Sequence, residues 1–491
     1  MKTGFDNKKY VKLQSKKIKD RIKMFDKLYL EVGGKLFDDN HATRVLPGLE
    51  LDSKIKMFQE LKDELEIILC INADAIIQNK IREDYGITYD VDCLRLIDNF
   101  ERMGFKINSV VITLFKNQDI NQFIKKLEIN NIKYYIHRPT KGYPTDVETI
   151  VSEEGYGANP YIETTRKLVL VTAPGPGSGK LATCLSQLYH EHKNGVNAGY
   201  AKFETFPMWD LPLNHPVNIA YEAATADLGD INMIDPFHLE KYNVKAVNYN
   251  RDIQLFPVLS SILKKITGKD IYFSPTDMGV NMLGSCIKDD EIVREASNKE
   301  IIRRYFNEMK SYKLGRTPIE VPNAIKVLMN NLGLDEDNVR IRKIALEKCV
   351  EKNSQIVAIR LNQKKVVTGK ETELLSPISS AIINAIKDLS GIPDNIKLIP
   401  KNILEPIHVT KVETLKENSP RLELQEVLIA LASSSVTNPA VEDALSHLKD
   451  LRGKDAYCSY IMSESELKIV KKLGINIICE PRFYSDSTFI Y

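Results

Sequence analysis

Short apolar runs separated by stretches of helical periodicity dominate the first half of the chain. Residues 65–71 (Leu-Glu-Ile-Ile-Leu-Cys-Ile), 109–114 (Ser-Val-Val-Ile-Thr-Leu), 133–137 (Lys-Tyr-Tyr-Ile-His) and 167–172 (Lys-Leu-Val-Leu-Val-Thr) each read as a strand. Helical patterns lie between them, from Asp92 to Met103 and over about 119–129. Strands that are apolar nearly throughout and alternate with helices predict a parallel sheet covered on both faces. In such sheets ligands collect beyond the carboxyl ends of the strands. From about 279 to 345 the pattern turns helical and charged, with no strand evident. Strands return after about 345, first at 355–360, and two later helices open with Ser376-Pro377 and Asn438-Pro439. Each of these pairs is a capping residue followed by proline at the first helical position. The expectation is an α/β protein in three parts: an N-terminal parallel-sheet domain over 1–278, a helical segment over 279–345 and a C-terminal α/β domain over 346–491.

Two irregular stretches interrupt the first part. Arg138 to Thr165 holds three prolines and three glycines and is too long for a plain connection, so it reads as a lid or an excursion over the site. Phe206 to Pro216 holds three prolines and Trp209, the single tryptophan, and is expected to touch a second substrate.

Composition excludes several classes. With 43% hydrophobic and 27% charged residues, the 491-residue chain can bury ordinary cores without disulfides or metals. No run approaches the ~18 apolar residues of a membrane span, and the first residues lack the apolar core of a signal peptide. The expectation is a soluble, cytoplasmic protein with no membrane partner. Net charge is only +2, but residues 1–35 carry eleven Lys/Arg against four Asp/Glu. Val11, Ile18, Ile22 and Phe25 recur through the basic run from Lys8 to Lys27, as in an amphipathic helix packed on the body. No aromatic stacking platform accompanies the charge, which argues against nucleic acid as a partner. The seven cysteines are scattered, odd in number and never spaced C-x-x-C, the pattern of buried reduced thiols. His190 and His192 flank Glu191, yet two apart on a helix they diverge by about 200° and do not converge on a zinc ion.

One segment carries chemistry: the strand 167–172, then Ala173-Pro-Gly-Pro-Gly-Ser-Gly-Lys180, then a helix whose Leu181, Cys184, Leu185 and Leu188 fall at i, i+3, i+4 and i+7. Strand, glycine-rich turn and helix in this order resemble the phosphate-binding loop of P-loop nucleotide-binding proteins. Glycines let successive N–H groups share one concavity, the helix N-terminus adds partial positive charge, and a lysine adds a full one. Gly175, Gly177, Ser178, Gly179 and Lys180 are therefore the candidate binding residues, with ATP or another nucleotide as candidate ligand. The turn departs from G-x-x-x-x-G-K-[S/T] at Pro174 and at Leu181, where a hydroxyl would ligate Mg²⁺. Another anion and a purely structural glycine turn stay open beside phosphate. Asp227, Asp230 and Asp235 follow within a short span and could hold Mg²⁺, or serve as caps and turn residues. No apolar run ending in Asp follows the turn. A serine peptidase is disfavoured, because Ser178 is displaced by one position from the G-x-S-x-G pattern within 175–179.

Gly86-Ile-Thr-Tyr-Asp90, Thr172 to Lys180 with Gln187-Leu-Tyr-His-Glu191, Ala220-Tyr-Glu-Ala-Ala-Thr-Ala-Asp-Leu-Gly-Asp230 and Val367-Thr-Gly-Lys370 together resemble the bacterial family catalogued as domain-of-unknown-function 1846. The resemblance covers nearly the whole chain. It implies a P-loop-like N-terminal α/β region and a distinct C-terminal α/β region, and brings no activity with it. The functional expectation is a nucleotide- or phosphate-binding protein, either a small-molecule phosphotransferase or ligase, or a non-catalytic homo-oligomeric scaffold that keeps the anion site.

Overall fold

The computed structural model describes residues 3–82, 86–203, 206–417 and 419–484. The chain divides into two compact units, Met1–Glu300 and Ile301–Tyr491. Among the described residues no helix is long and apolar enough to cross a membrane.

Among the described residues the first unit carries eleven strands: β1 (Lys27–Val32), β2 (Leu65–Asn72), β3 (Ile81–Arg82), β4 (Ile87–Thr88), β5 (Lys106–Thr113), β6 (Tyr134–Ile136), β7 (Leu168–Thr172), β8 (Ala198–Phe203), β9 (Asn232–Ile234), β10 (Val247–Tyr249) and β11 (Gly279–Val280). Seven form one sheet in the order β11-β8-β1-β7-β2-β5-β6, every neighbouring pair parallel. The pairs β3–β4 and β9–β10 are separate antiparallel ribbons. The chain lays down β1 and β2 with a place left between them, moves outward through β5 and β6, and returns to insert β7 in that place. It then passes β1 to add β8 and β11. The strand that carries the glycine-rich turn is thus central, and the turn opens at the middle of the sheet's carboxyl edge, where parallel sheets bind ligands.

All five residues of β7 are buried, as a strand covered on both faces requires. The Lys180–Lys193 helix lays Cys184, Leu185 and Leu188 on one face of the sheet, against Ile68, Cys70, Val169 and Val171. Fully burying side chains of this size contributes about 1.5–3 kcal/mol each. From Ile150 onward the 138–165 stretch is anchored to the body of the sheet. Ile150, Tyr156 and Ile162 are buried in the same cluster, and the Gln187 side chain bonds both the N–H and the carbonyl of Ile162 at 2.9 and 2.8 Å. Phe206 to Pro216 is also tied down. Asn218 accepts from the Met208 N–H at 2.7 Å and donates to the carbonyls of Met208 and Pro212. The basic N-terminal segment forms the Asn7–Ile22 helix and buries Tyr10, Ile18 and Ile22, the packed helix its periodicity predicts.

The 279–345 segment does contain a strand. Gly279–Val280 pairs with β8, but two residues are too few to leave a periodic signal. The Asp290–Lys313 helix runs across the division between the units. In the second unit β12 (Ile356–Arg360), β13 (Val366–Lys370), β14 (Asp455–Cys458) and β15 (Asn476–Cys479) form a mixed sheet in the order β13-β12-β14-β15. Ser376 caps the Pro377–Leu389 helix by accepting from the Ser379 N–H, and Ile378, Ile382 and Ile386 of that helix share a core with Val357 and Ile359. Asn438 caps the Pro439–Ser446 helix in the same way. The seven cysteines are free thiols, six of them buried.

Candidate functional site

The turn after β7 is built to present donors. Gly177 (φ +70°) and Gly179 (φ +78°) adopt the left-handed conformation, Gly179 as N-cap of the Lys180–Lys193 helix, so successive N–H groups gather in one concavity. Pro174 and Pro176 have no N–H to offer. Among the described residues, the N–H groups of Gly175, Gly177, Ser178 and Gly179 donate to no partner within the protein. The first helical turn adds its own unsatisfied N–H groups and its partial positive charge. Ser178 is only 3% exposed, and among the described residues its hydroxyl has no hydrogen-bond partner. Lys180 is half-buried and, among the described residues, makes no ion pair. Burial pushes the Cys70 thiol up to about 12, with the nearby Lys180 charge pulling the other way.

Neighbouring strand ends hold the turn in this orientation. Asn72, at the end of β2, donates to the Gly177 carbonyl at 3.2 Å, and Thr113, at the end of β5, donates to the Ser178 carbonyl at 2.7 Å. In a trans peptide the carbonyl and the next N–H point in opposite directions. These two bonds therefore turn the N–H groups of Ser178 and Gly179 away from the β2–β5 side. Tyr89 lies so close to Gly175 that a Cβ there would sit 2.3 Å from its hydroxyl oxygen. A cleft of about 130 Å³, lined among others by Asn72, Asp74, Gln78, Lys80 and Tyr89, flanks the turn.

On the other side of β7 stands a polar group that the sequence reading passed over. Glu31 in β1 pairs in register with Val171 of β7 and with Lys202 of β8. It accepts from the Tyr200 hydroxyl at 2.7 Å and is 8% exposed. Lys202 donates to Asp252 at 2.7 Å; burial works to lower its pKa, but the carboxylates of Asp252 and Glu31 outweigh that and hold it raised. The motif search looked for an acid after the turn. The strand beside the turn comes 140 residues before it, and an apolar run ending in an acid, Leu28-Tyr-Leu-Glu31, is the signal that could have marked it.

The three candidate metal aspartates are not brought together as a cation site. Asp235 is fully buried and spent on structure: it caps the Pro236–Tyr242 helix and accepts from Asn248 and Thr276. Asp230 accepts from Arg251 at 3.2 Å, and burial raises its pKa. Asp227 sits exposed on the short Ala226–Leu228 turn. Among the described residues no group of three or more His, Cys, Asp or Glu could hold a metal ion. His190 and His192 bond separate backbone carbonyls, those of Asn159 and Ala198.

Comparison with known proteins adds family but no chemistry. The pattern described as "Domain of unknown function DUF1846, N-terminal" matches residues 3–333, and its C-terminal counterpart matches residues 337–489. A UPF0371 protein of Clostridium tetani (strain Massachusetts / E88) is 52% identical over 499 aligned residues, covering 100% of this chain and 99% of the relative. A UPF0371 protein of Fusobacterium nucleatum is 50% identical over 503 residues, with the same coverage.

Proposed function

The chain belongs to the DUF1846 family, and from the geometry of its central turn we propose that it binds the phosphate group of a nucleotide or other phosphorylated small molecule. One observation carries this reading: among the described residues, four backbone N–H groups of the 175–179 turn have no partner, at a helix N-terminus, beside a buried hydroxyl without a hydrogen bond and a lysine without an ion pair. Leaving such donors at a helix start unsatisfied costs free energy that an anion recovers. In this reading Gly175, Gly177, Ser178 and Gly179 cradle the phosphate and Lys180 neutralises it. A small-molecule phosphotransferase or ligase is the activity we attach to the site. Leu181, where a metal-binding hydroxyl would stand, favours a second reading, a non-catalytic oligomeric scaffold that retains anion binding.

The test is a thermal-shift titration of wild type and Lys180→Ala with inorganic phosphate, pyrophosphate and ATP. Wild type should be stabilised saturably by at least one of them. A ligand at about 100 times its Kd adds about 2.7 kcal/mol. Lys180→Ala removes a charge-assisted contact worth roughly 1.5–3 kcal/mol, so binding should weaken about 10- to 150-fold with the ligand-free melting temperature unchanged. A lowered ligand-free melting temperature with an unaltered ligand response would assign Lys180 to packing and remove the reading's main charge.

A further inference from the structure

The strand beside β7 carries a buried carboxylate, Glu31. Tyr29 of β1 donates to Glu191 at 2.8 Å and accepts from Gln187 at 3.1 Å, both on the Lys180–Lys193 helix, so its side chain lies on the helix-covered face of the sheet. Glu31, two residues on, occupies the same face one step nearer the carboxyl edge. Lys27, at the start of β1, pairs with Glu191 near the helix C-terminus at 2.6 Å. The helix therefore runs antiparallel to β1, and its N-terminus with Lys180 lies toward the carboxyl edge that Glu31 approaches. The electrostatics agree: Glu31 and Lys180 both act on the buried thiols of Cys70 and Cys184. The N–H groups of Ser178 and Gly179, turned away from β2 and β5, leave the β1 side for the ligand.

This juxtaposition poses a problem of charge. A carboxylate beside an anion cradle repels the anion unless a cation stands between them. Lys202 is already matched by Asp252, and Lys180 is one charge against a carboxylate and a phosphate. Among the described residues one Glu31 oxygen is engaged, by the Tyr200 hydroxyl, which orients the group and leaves Oε1 for a ligand. Mg²⁺ is held in this manner, by one or two carboxylates, substrate phosphate oxygens and retained waters, without a protein cage. That no three-residue metal cluster occurs among the described residues is therefore compatible with such a site. Independently, the Ser178 hydroxyl in the turn is buried and, among the described residues, has no partner, which leaves it available to a ligand.

Resting on the phosphate reading above, we propose that this site takes the phosphate as its Mg²⁺ complex, with Glu31 as the protein's ligand to the metal in place of the hydroxyl that position 181 lacks. No bond is made or broken in this step; Glu31 anchors and orients the complex.

The experiment measures ATP and pyrophosphate affinity by calorimetry, with Mg²⁺ and with EDTA, on full-length wild type, Glu31→Gln and Glu31→Asp. In wild type Mg²⁺ should tighten binding at least tenfold. Glu31→Gln should lose most of that enhancement. Its metal-free binding should be equal or tighter, because a repelling charge is gone, and Glu31→Asp should keep part of the enhancement. Metal-independent binding by wild type would overturn the proposal while leaving the phosphate site standing, and so would a Glu31→Gln protein that keeps the full enhancement. Absence of binding by wild type in both conditions would instead remove the phosphate reading and this inference with it. Should Glu31→Gln melt markedly lower, Tyr200→Phe, which frees the carboxylate without removing it, supplies the second variant, with a partial loss of enhancement expected and an unchanged one counting against the proposal.

Discussion

At the scale of single residues, two buried titratable groups give the two units opposite responses to pH. His137 Nε2–H donates to the Pro160 carbonyl, 3.1 Å away, and burial lowers its pKa to about 4. Its unfolded value is about 6.5, so the unfolded chain binds more protons between the two values. The stability this histidine contributes is present above pH 6.5 and is lost as pH falls toward 4, by about 3 kcal/mol in all. Glu466 has the reverse sign. Burial raises it to about 7, while the Ser376 hydroxyl that donates to it works against the rise. The folded state then binds the extra proton, and stability is lost as pH rises from about 4.5 to 7. We expect His137→Gln to flatten the melting profile below pH 6.5. Glu466→Gln should raise the melting temperature at pH 7.5 and leave it little changed at pH 4.5. Calorimetric scans across that range check both, and variant profiles running parallel to wild type would refute the assignment.

At the scale of elements, the strand–turn–helix unit depends on how closely the turn approaches β5. Gly177 and Gly179 share the left-handed conformation, but their surroundings differ. A Cβ at Gly177 meets nothing within 4 Å, whereas one at Gly179 falls 2.8 Å from Thr113 Cβ and Oγ1. Gly177→Ala should therefore cost only the left-handed penalty of about 1–2 kcal/mol. Gly179→Ala should cost more, because it also displaces the Thr113 bond that aims the turn. Chemical denaturation of the two variants measures the difference; equal losses would show that the contact with Thr113 is not constraining. The elements themselves were unequally legible. β7, β5 from Val110 on, and β2 apart from Glu66 are apolar runs that read directly from the sequence. β1 and β8 did not, because Lys27, Glu31 and Lys202 interrupt the apolar pattern, and each finds its partner from elsewhere in the fold: Lys27 and Lys202 pair with the carboxylates of Glu191 and Asp252, and Glu31 accepts from the Tyr200 hydroxyl.

At the scale of the whole molecule, the division into Met1–Glu300 and Ile301–Tyr491 and the two family matches, which meet between residues 333 and 337, describe a chain of two bodies with helices around their junction in sequence. The turn between the Asp290–Lys313 and Glu320–Asn331 helices presents exposed Lys313 and Arg316. Limited trypsin digestion should cut first within 311–322 and release two fragments. First cleavage within β2 or β5 would contradict this, since seven of the eight residues of β2 and five of the eight of β5 are buried.

What the sequence determined by itself was local: the α/β class, the caps at Ser376 and Asn438, the amphipathic N-terminal helix, and a glycine turn between a strand and a helix. Each depends on periodicity or on backbone preferences that a few adjacent residues settle. Tertiary structure alone decided which strand lies beside β7, that Asp235 is consumed as a cap, that the 138–165 stretch is packed down by Ile150, Tyr156 and Ile162, and that Glu31 pairs in register with Val171, far away in sequence. The reason is the order in which the parallel sheet is assembled. β7 enters between β1 and β2 after both are in place, so the groups that flank the turn from β1, β2 and β5 come from strands laid down before it, and no local pattern records that they will meet.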